Sequence, residues 1–156
     1  MVADLGCGPG YYSITIAELV GEKGKVYAVD SDPKSIKALQ AKSERLCLQD
    51  IIETHSNSST DLGFLHDHFI DFVFANGLLC CMVDHIGAVT EIQRILKRDG
   101  LAYLSISKIG MKKDPRRVTK QEWSRILGTF SVMEKGESLT NRWATMSLTD
   151  IGTMQG

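Results

Sequence analysis

The feature that most constrains this chain is a run of glycines at alternate positions, Gly6, Gly8 and Gly10, within "DLGCGPG". Such glycines let the backbone take positive φ and let a ligand approach the main chain closely. Their flanks define the turn. Val2, Ala3 and Leu5 are apolar around Asp4, so Met1 to Leu5 reads as a short strand. From Tyr11 onward Ile14, Ala17 and Leu19 recur at helical spacing. A strand, a glycine turn and a helix start offer unpaired N–H groups and the positive end of a helix dipole, which suits a nucleotide-like ligand. The dinucleotide fingerprint G-x-G-x-x-G fails, because its third glycine falls on Tyr11. The spacing is instead D-x-G-x-G-x-G, from Asp4 to Gly10.

A second anchor follows at the matching distance. Lys25 to Val29, "KVYAV", is a β-prone run closed by Asp30. A carboxylate at the end of a second strand, about 20 residues past the glycine turn, is placed to accept two ribose hydroxyls. Alone, Asp30 reads as a strand-end turn residue; paired with Asp4–Gly10 it reads as a ligand anchor. Asp32 then caps a helix with Pro33 at its first position.

The remaining pattern alternates. Ile51 to Ser56 reads as a third strand, "SNSSTDLGFLHDH" as a polar loop, and "FIDFVFA" as a strand buried on both faces. Asp84 opens a helix with Ile86, Val89, Ile92, Ile95 and Leu96 along one face, ended by Asp99-Gly100. "LAYLSIS" is a fifth strand. Thr119 and Glu122 form a capping box ahead of Trp123, Ile126 and Leu127. Phe130 to Glu134 and Arg142 to Leu148 make a closing hairpin that turns around Gly136. Strands alternating with helices predict an α/β fold, a doubly wound, mostly parallel sheet with an antiparallel end, in a single domain of 156 residues.

Asp4–Gly10 with Asp30, "DFVFANGLL", and "EIQRILKRDGLAYLSIS" together resemble the class I S-adenosylmethionine-dependent methyltransferases, of the type 11, UbiE-like group. The resemblance covers nearly the whole chain, with Arg98-Asp99 standing where Pro-Gly or Gly-Gly is commoner. It implies a seven-stranded Rossmann-like sheet whose last strand is antiparallel. It also implies an enzyme that takes S-adenosyl-L-methionine and releases S-adenosyl-L-homocysteine. In the implied donor site Asp4 meets the amino end of the methionine, and main-chain atoms of Gly6, Cys7 and Gly8 line it. Asp30 holds the ribose, and Ser31 next to it belongs to the same donor site. Ser58 falls where many members carry an aspartate for the adenine amine, with Asp61 as a substitute, and the Ser59 N–H meets the ring. Asn76 and Gly77 close the other side. Members also carry a lid segment ahead of the first strand, whereas here one residue precedes Val2. The expectation is a domain without that lid, apolar side chains left open on the sheet, and a homodimer that covers them. A donor-binding module without catalysis is the alternative.

Methyl transfer from a sulfonium is an in-line displacement, so the protein must chiefly align reactants and exclude water. His85, just past the fourth-strand turn, is the candidate base, against the reading of a surface histidine at a helix start. His66 and His68 flank Asp67 and read as a solvated pair; no metal is predicted. Cys7, Cys47, Cys80 and Cys81 form no C-x-x-C pair and imply neither disulfide nor zinc site, which fits a reducing cytoplasm. Cys80-Cys81 as a ligand for a soft acceptor such as arsenic is the sharper alternative to ordinary packing. The net charge of −1 supplies no field toward nucleic acid or membrane. Phe69 to Val83, broken by Asp71 and Asn76, is too short to span a bilayer. Lys108, Lys112, Lys113, Arg116, Arg117 and Lys120 make a basic stretch without interleaved aromatics. "NGLL" stands where nucleic-acid amino-methyltransferases carry Asn or Asp, Pro-Pro and an aromatic residue. A small-molecule acceptor is therefore expected, with RNA as the alternative.

Overall fold

The computed structural model describes residues 1–109 and 114–149. Seven strands form one sheet: β1 (Val2–Leu5), β2 (Val26–Val29), β3 (Ile52–His55), β4 (Ile70–Asn76), β5 (Leu96–Ser107), β6 (Phe130–Glu137) and β7 (Asn141–Leu148). Their order is β3-β2-β1-β4-β5-β7-β6. β1 to β5 pair in parallel, while β7 runs antiparallel to both β5 and β6. The fold is the α/β, Rossmann-like one expected. The antiparallel strand lies inside the sheet, with β6 at the edge. The order reverses at β1, whose neighbours are β2 and β4, so the chains leaving β1 and β4 diverge and open a crevice at the carboxyl ends.

Among the described residues four α-helices cover the sheet: α1 (Tyr11–Val20), α2 (Pro33–Arg45), α3 (His85–Ile95) and α4 (Lys120–Leu127). The caps stand where they are expected. Asp32 accepts the N–H groups of Lys34 and Ser35, Asp84 accepts that of Gly87, and Thr119 and Glu122 form a capping box. Successive strand residues point to opposite faces, which builds two cores. Ile14, Ala17, Ile36 and Leu39 pack with Val26 and Ala28. Val89, Ile92, Trp123 and Ile126 pack with Ala3, Leu5, Val73 and Leu104.

Several elements depart from the sequence pattern. α3 ends at Ile95, short of Asp99-Gly100, because backbone N–H groups of His68 and Phe69 take the carbonyls of Arg94 and Ile95 at 2.9 and 2.8 Å. Leu96 then pairs with Ile70 as strand. Ile86 and Leu19, counted in the apolar helical patterns, are 78% and 81% exposed; His85 and Ala88 in α3, and Ser13 in α1, are buried instead. The polar loop after β3 carries two core anchors, Leu62 and Leu65. The final hairpin turns at Ser138–Thr140, and Gly136 lies within β6, where a side chain would strike the Trp143 ring. A 3₁₀ turn over Leu78–Cys81 was not legible in the sequence.

On one sheet face a row of rings crosses three strands. Tyr12 of α1 meets Phe74 with ring centroids 5.0 Å apart, Phe74 stacks on Tyr103 at 5.2 Å, and Tyr103 on Trp143 at 6.3 Å. Phe74, Tyr103 and Trp143 are half-buried.

Candidate functional site

The crevice between β1 and β4 forms a cleft lined by Gly6, Asp30, Ser31, Ser58, Ser59, Asn76, Gly77, Leu78, Cys81 and Met82. It encloses about 160 Å³ and opens broadly to solvent, below the ~300–1,000 Å³ of a typical small-molecule pocket. These walls surround part of a ligand and leave the rest in the open.

The glycine turn is bound to the end of β2. Gly6 and Cys7 donate N–H groups to the carbonyl of Val29 at 2.8 and 3.0 Å. Gly8 donates to Asp30 Oδ2 at 2.8 Å, and Asp30 Oδ1 accepts the N–H of Asp32, also at 2.8 Å. The Asp30 carboxylate therefore stands rigid at the cleft edge, with one lone pair on each oxygen still open. Two glycines are required here. Gly6 has φ +74°, and a Cβ on it would press Leu78 Cδ1 at 3.1 Å. Gly10 has φ +84° and would place a Cβ 2.2 Å from Leu39 Cδ1.

Across the cleft Ser105 anchors the turn after β4. Its hydroxyl donates to Asn76 Oδ1 at 2.6 Å and accepts the N–H of Gly77 at 3.0 Å. Gly77 takes φ +73° and starts the 3₁₀ turn that brings Leu78, Cys81 and Met82 to the cleft. Sequence reasoning missed Leu78, Met82 and Ser105, and weighed Cys81 only as a ligand for a soft acceptor. The signal for Leu78 and Met82 was the apolar run "LLCCM" after a glycine, too short for a helix.

Of the expected donor-site residues, Gly6, Asp30, Ser31, Ser58, Ser59, Asn76 and Gly77 line the cleft. Asp4, Cys7 and Gly8 do not. Asp4 is 2% exposed, and its Oδ2 accepts the Ser13 hydroxyl at 2.5 Å. Burial pushes its carboxyl up to about 6, against the lowering effect of Ser13, with Asp30 adding to the rise. Burial likewise holds the Cys7 thiol far above its ordinary range, so it is a packed apolar group. Gly8 contributes through its bond to Asp30. Ser58 is occupied with Thr60, their hydroxyls 2.7 Å apart, and Ser59 is buried.

His85 is neither on the surface nor in the cleft. It is 4% exposed, with Nδ1 2.6 Å from Glu122 Oε1 and Nε2 2.9 Å from the carbonyl of Met82. Both ring nitrogens face acceptors outside the cleft lining, and His85 fastens the cleft residue Met82 to α4. His68 is structural too, its Nδ1 2.9 Å from the carbonyl of Leu96. Among the described residues no cluster of three or more His, Cys, Asp or Glu is placed to hold a metal. Cys80 and Cys81 diverge: Cys80 Sγ accepts the N–H of Ser107 and Cys81 Sγ donates to the carbonyl of Gly77. Lys112 and Lys113 of the basic stretch lie outside the described residues.

The cleft residues suit a nucleoside. Asp30 offers acceptors for a diol, the glycine turn leaves backbone close to a ligand, and Leu78 and Met82 give an apolar side. Comparison with known proteins gives the family. A family described as a methyltransferase domain matches residues 3–104. Demethylmenaquinone methyltransferase of Bacillus cereus is 31% identical over 97 residues, 62% of this chain and 40% of that protein. Ribosomal protein L11 methyltransferase of Synechococcus elongatus is 33% identical over 129 residues, 81% of this chain and 42% of that protein. The match thus spans about two fifths of either relative. Among solved structures, a SAM dependent methyltransferase from Aquifex aeolicus superposes with a TM-score of 0.80 at 23% identity, covering 95% of this chain and 81% of that one.

Proposed function

Because this chain belongs to the methyltransferase domain family, we propose that it moves the methyl group of S-adenosyl-L-methionine to a small-molecule acceptor, leaving S-adenosyl-L-homocysteine. The observation that carries this reading is Asp30: a carboxylate braced by two backbone N–H groups at the rim of the β1–β4 crevice. Asp30 accepts the two ribose hydroxyls, and Ser31 stands beside it. Ser58 and Ser59 edge the adenine, and Leu78 and Met82 cover its face. Gly6, Asn76 and Gly77 bring main-chain groups to the amino-acid part of the donor. Asp4 supports them from beneath, through Ser13 and the start of α1.

When bound, the donor supplies a methyl group already activated by its positive sulfur. The chain's task is to align and to shield. Asp30 and Cys81 are the titratable side chains that line the cleft. The reading is therefore of transfer to an acceptor that needs no strongly held proton removed by the protein. The small-molecule acceptor is supported by the name of the demethylmenaquinone relative and by "NGLL" after β4. Screening small acceptors with labelled donor tests it.

We read the chain as one domain. Self-association as a homodimer is supported by the half-buried row Phe74, Tyr103 and Trp143, which a second copy would cover. Cytoplasmic action is supported by the four free cysteines. Among the described residues no helix is long and apolar enough to cross a membrane.

A further inference from the structure

The net charge of −1 conceals a polarity along the chain. Residues 1–107 hold nine Lys or Arg against fourteen Asp or Glu, whereas residues 108–142 hold nine against four. The described residues of the basic part include α4, β6 and the start of β7. Between α4 and the β6–β7 hairpin lies a groove of about 420 Å³, lined among others by Lys120, Trp123, Leu127, Lys135, Arg142 and Trp143.

Its charges are poorly balanced. Glu137 at the rim is shared by two cations, with Arg142 Nε at 3.0 Å and Lys108 Nζ at 3.6 Å from Oε2. Lys120 and Lys135 have no carboxylate partner among the described residues. Among the described residues Arg142 donates through Nε alone, which leaves its two terminal NH₂ groups open as a fork. Such a fork matches two oxygens of a phosphate, and lysines add unshared point charge. Trp123 and Leu127 supply an apolar floor beside these cations.

The groove sits at the same end of the sheet as the cleft. Arg142 pairs with Ile106 near the carboxyl end of β5, where Ser105 pairs with Asn76 of the cleft. β7 is two strands from β4, a separation of ~10 Å at ~4.8 Å per strand. A ligand anchored in the groove can reach the donor cleft.

We propose that this groove binds phosphate groups of the acceptor, which makes the acceptor a phosphate ester with an apolar body. The proposal rests on the methyl-transfer reading for its purpose but not for its test. The chain has two tryptophans, and both line the groove while neither lines the donor cleft. Tryptophan emission therefore reads groove binding, and calorimetry with S-adenosylhomocysteine reads the cleft. Inorganic tripolyphosphate should shift the emission saturably at low salt. Lys120→Ser combined with Lys135→Ser should weaken that binding at least tenfold, Lys135→Arg with Lys120 retained should keep it, and both variants should bind S-adenosylhomocysteine as the parent does. A six-nucleotide oligouridylate separates the sources. Tighter binding than tripolyphosphate, with a salt slope of about −0.7 per phosphate, assigns the phosphates to an RNA chain; equal affinity assigns them to a small molecule. Unchanged emission at millimolar tripolyphosphate, or equal binding by parent and double variant, overturns the proposal. A shifted emission in a protein that ignores S-adenosylhomocysteine would leave the groove standing and remove the methyl-transfer reading.

Discussion

Asp30 Oδ2 accepts the backbone N–H of Gly8 at 2.8 Å, so the residue that faces the cleft also holds the glycine turn in shape. Its other oxygen does the same for Asp32. Asp30→Ala removes both braces and both acceptors proposed for the ribose. At about 1.5–3 kcal/mol per bond to a charged group, affinity for S-adenosylhomocysteine should fall more than tenfold. Asp30→Asn should be no milder, because its NH₂ must oppose one of the two backbone N–H groups. Calorimetry of both variants checks this; parent-like binding by either removes Asp30 from the site.

Asp4 makes a prediction about pH. Burial raises its folded-state pKa from 3.8 to about 6, so the folded protein holds this proton more tightly than the unfolded chain. Ionisation therefore works against folding. The contribution of this group falls as pH climbs from about 4 to about 6, then levels. Asp4→Asn keeps an acceptor for Ser13 and loses the charge. It should gain stability over the parent above pH 6, by no more than about 3 kcal/mol at 1.36 kcal/mol per pKa unit. Urea unfolding of the two proteins at pH 4 and pH 7.5 measures the difference, and a gap independent of pH would contradict it.

His85 should matter to structure more than to chemistry. His85→Ala leaves the Met82 carbonyl and one oxygen of Glu122 without their partner, at a cost of about 1–3 kcal/mol. His85→Gln, which can still reach one of them, should lose less. Once an acceptor is known, the folded His85→Gln protein should keep its rate within about tenfold. A loss of ~10²–10⁴, the scale of a missing general base, with unchanged melting would restore the catalytic role.

Gly8 and Gly10 separate two costs that a motif treats as one. At Gly8, with φ +53°, a Cβ meets nothing within 4 Å, so Gly8→Ala carries backbone strain alone, about 1–2 kcal/mol. Gly10→Ala adds the collision with Leu39 and should cost about 1–3 kcal/mol more. Equal melting temperatures for the two variants would show that Leu39 yields freely.

What was legible in the sequence were the local signals. The glycine turn, Asp30, the Asp32-Pro33 cap and the Thr119–Glu122 box depend on neighbours a few residues away, and each is where its spacing puts it. What was not legible depends on distant partners. α3 is halted by His68 and Phe69, twenty-odd residues upstream, and no cap near Ile95 announces it. His85 resembled a helix-start surface residue because its partner, Glu122, belongs to another helix. The cation groove was hidden for the same reason: its tryptophans come from α4 and β7, not from within the basic stretch.

The place of β7 has a consequence for synthesis. Leu101 to Ser107 of β5 pair with Asn141 to Ser147 of β7, made after the other six strands of the sheet. Until it arrives, the nascent chain carries a long, apolar strand edge with unsatisfied backbone groups. At ~5–20 residues per second that interval lasts a few seconds. Such an edge is a template for pairing with another unfinished chain. The sheet can be sealed only after β7 has emerged, so slow elongation over residues 108–140 is where misassembly of this protein would begin.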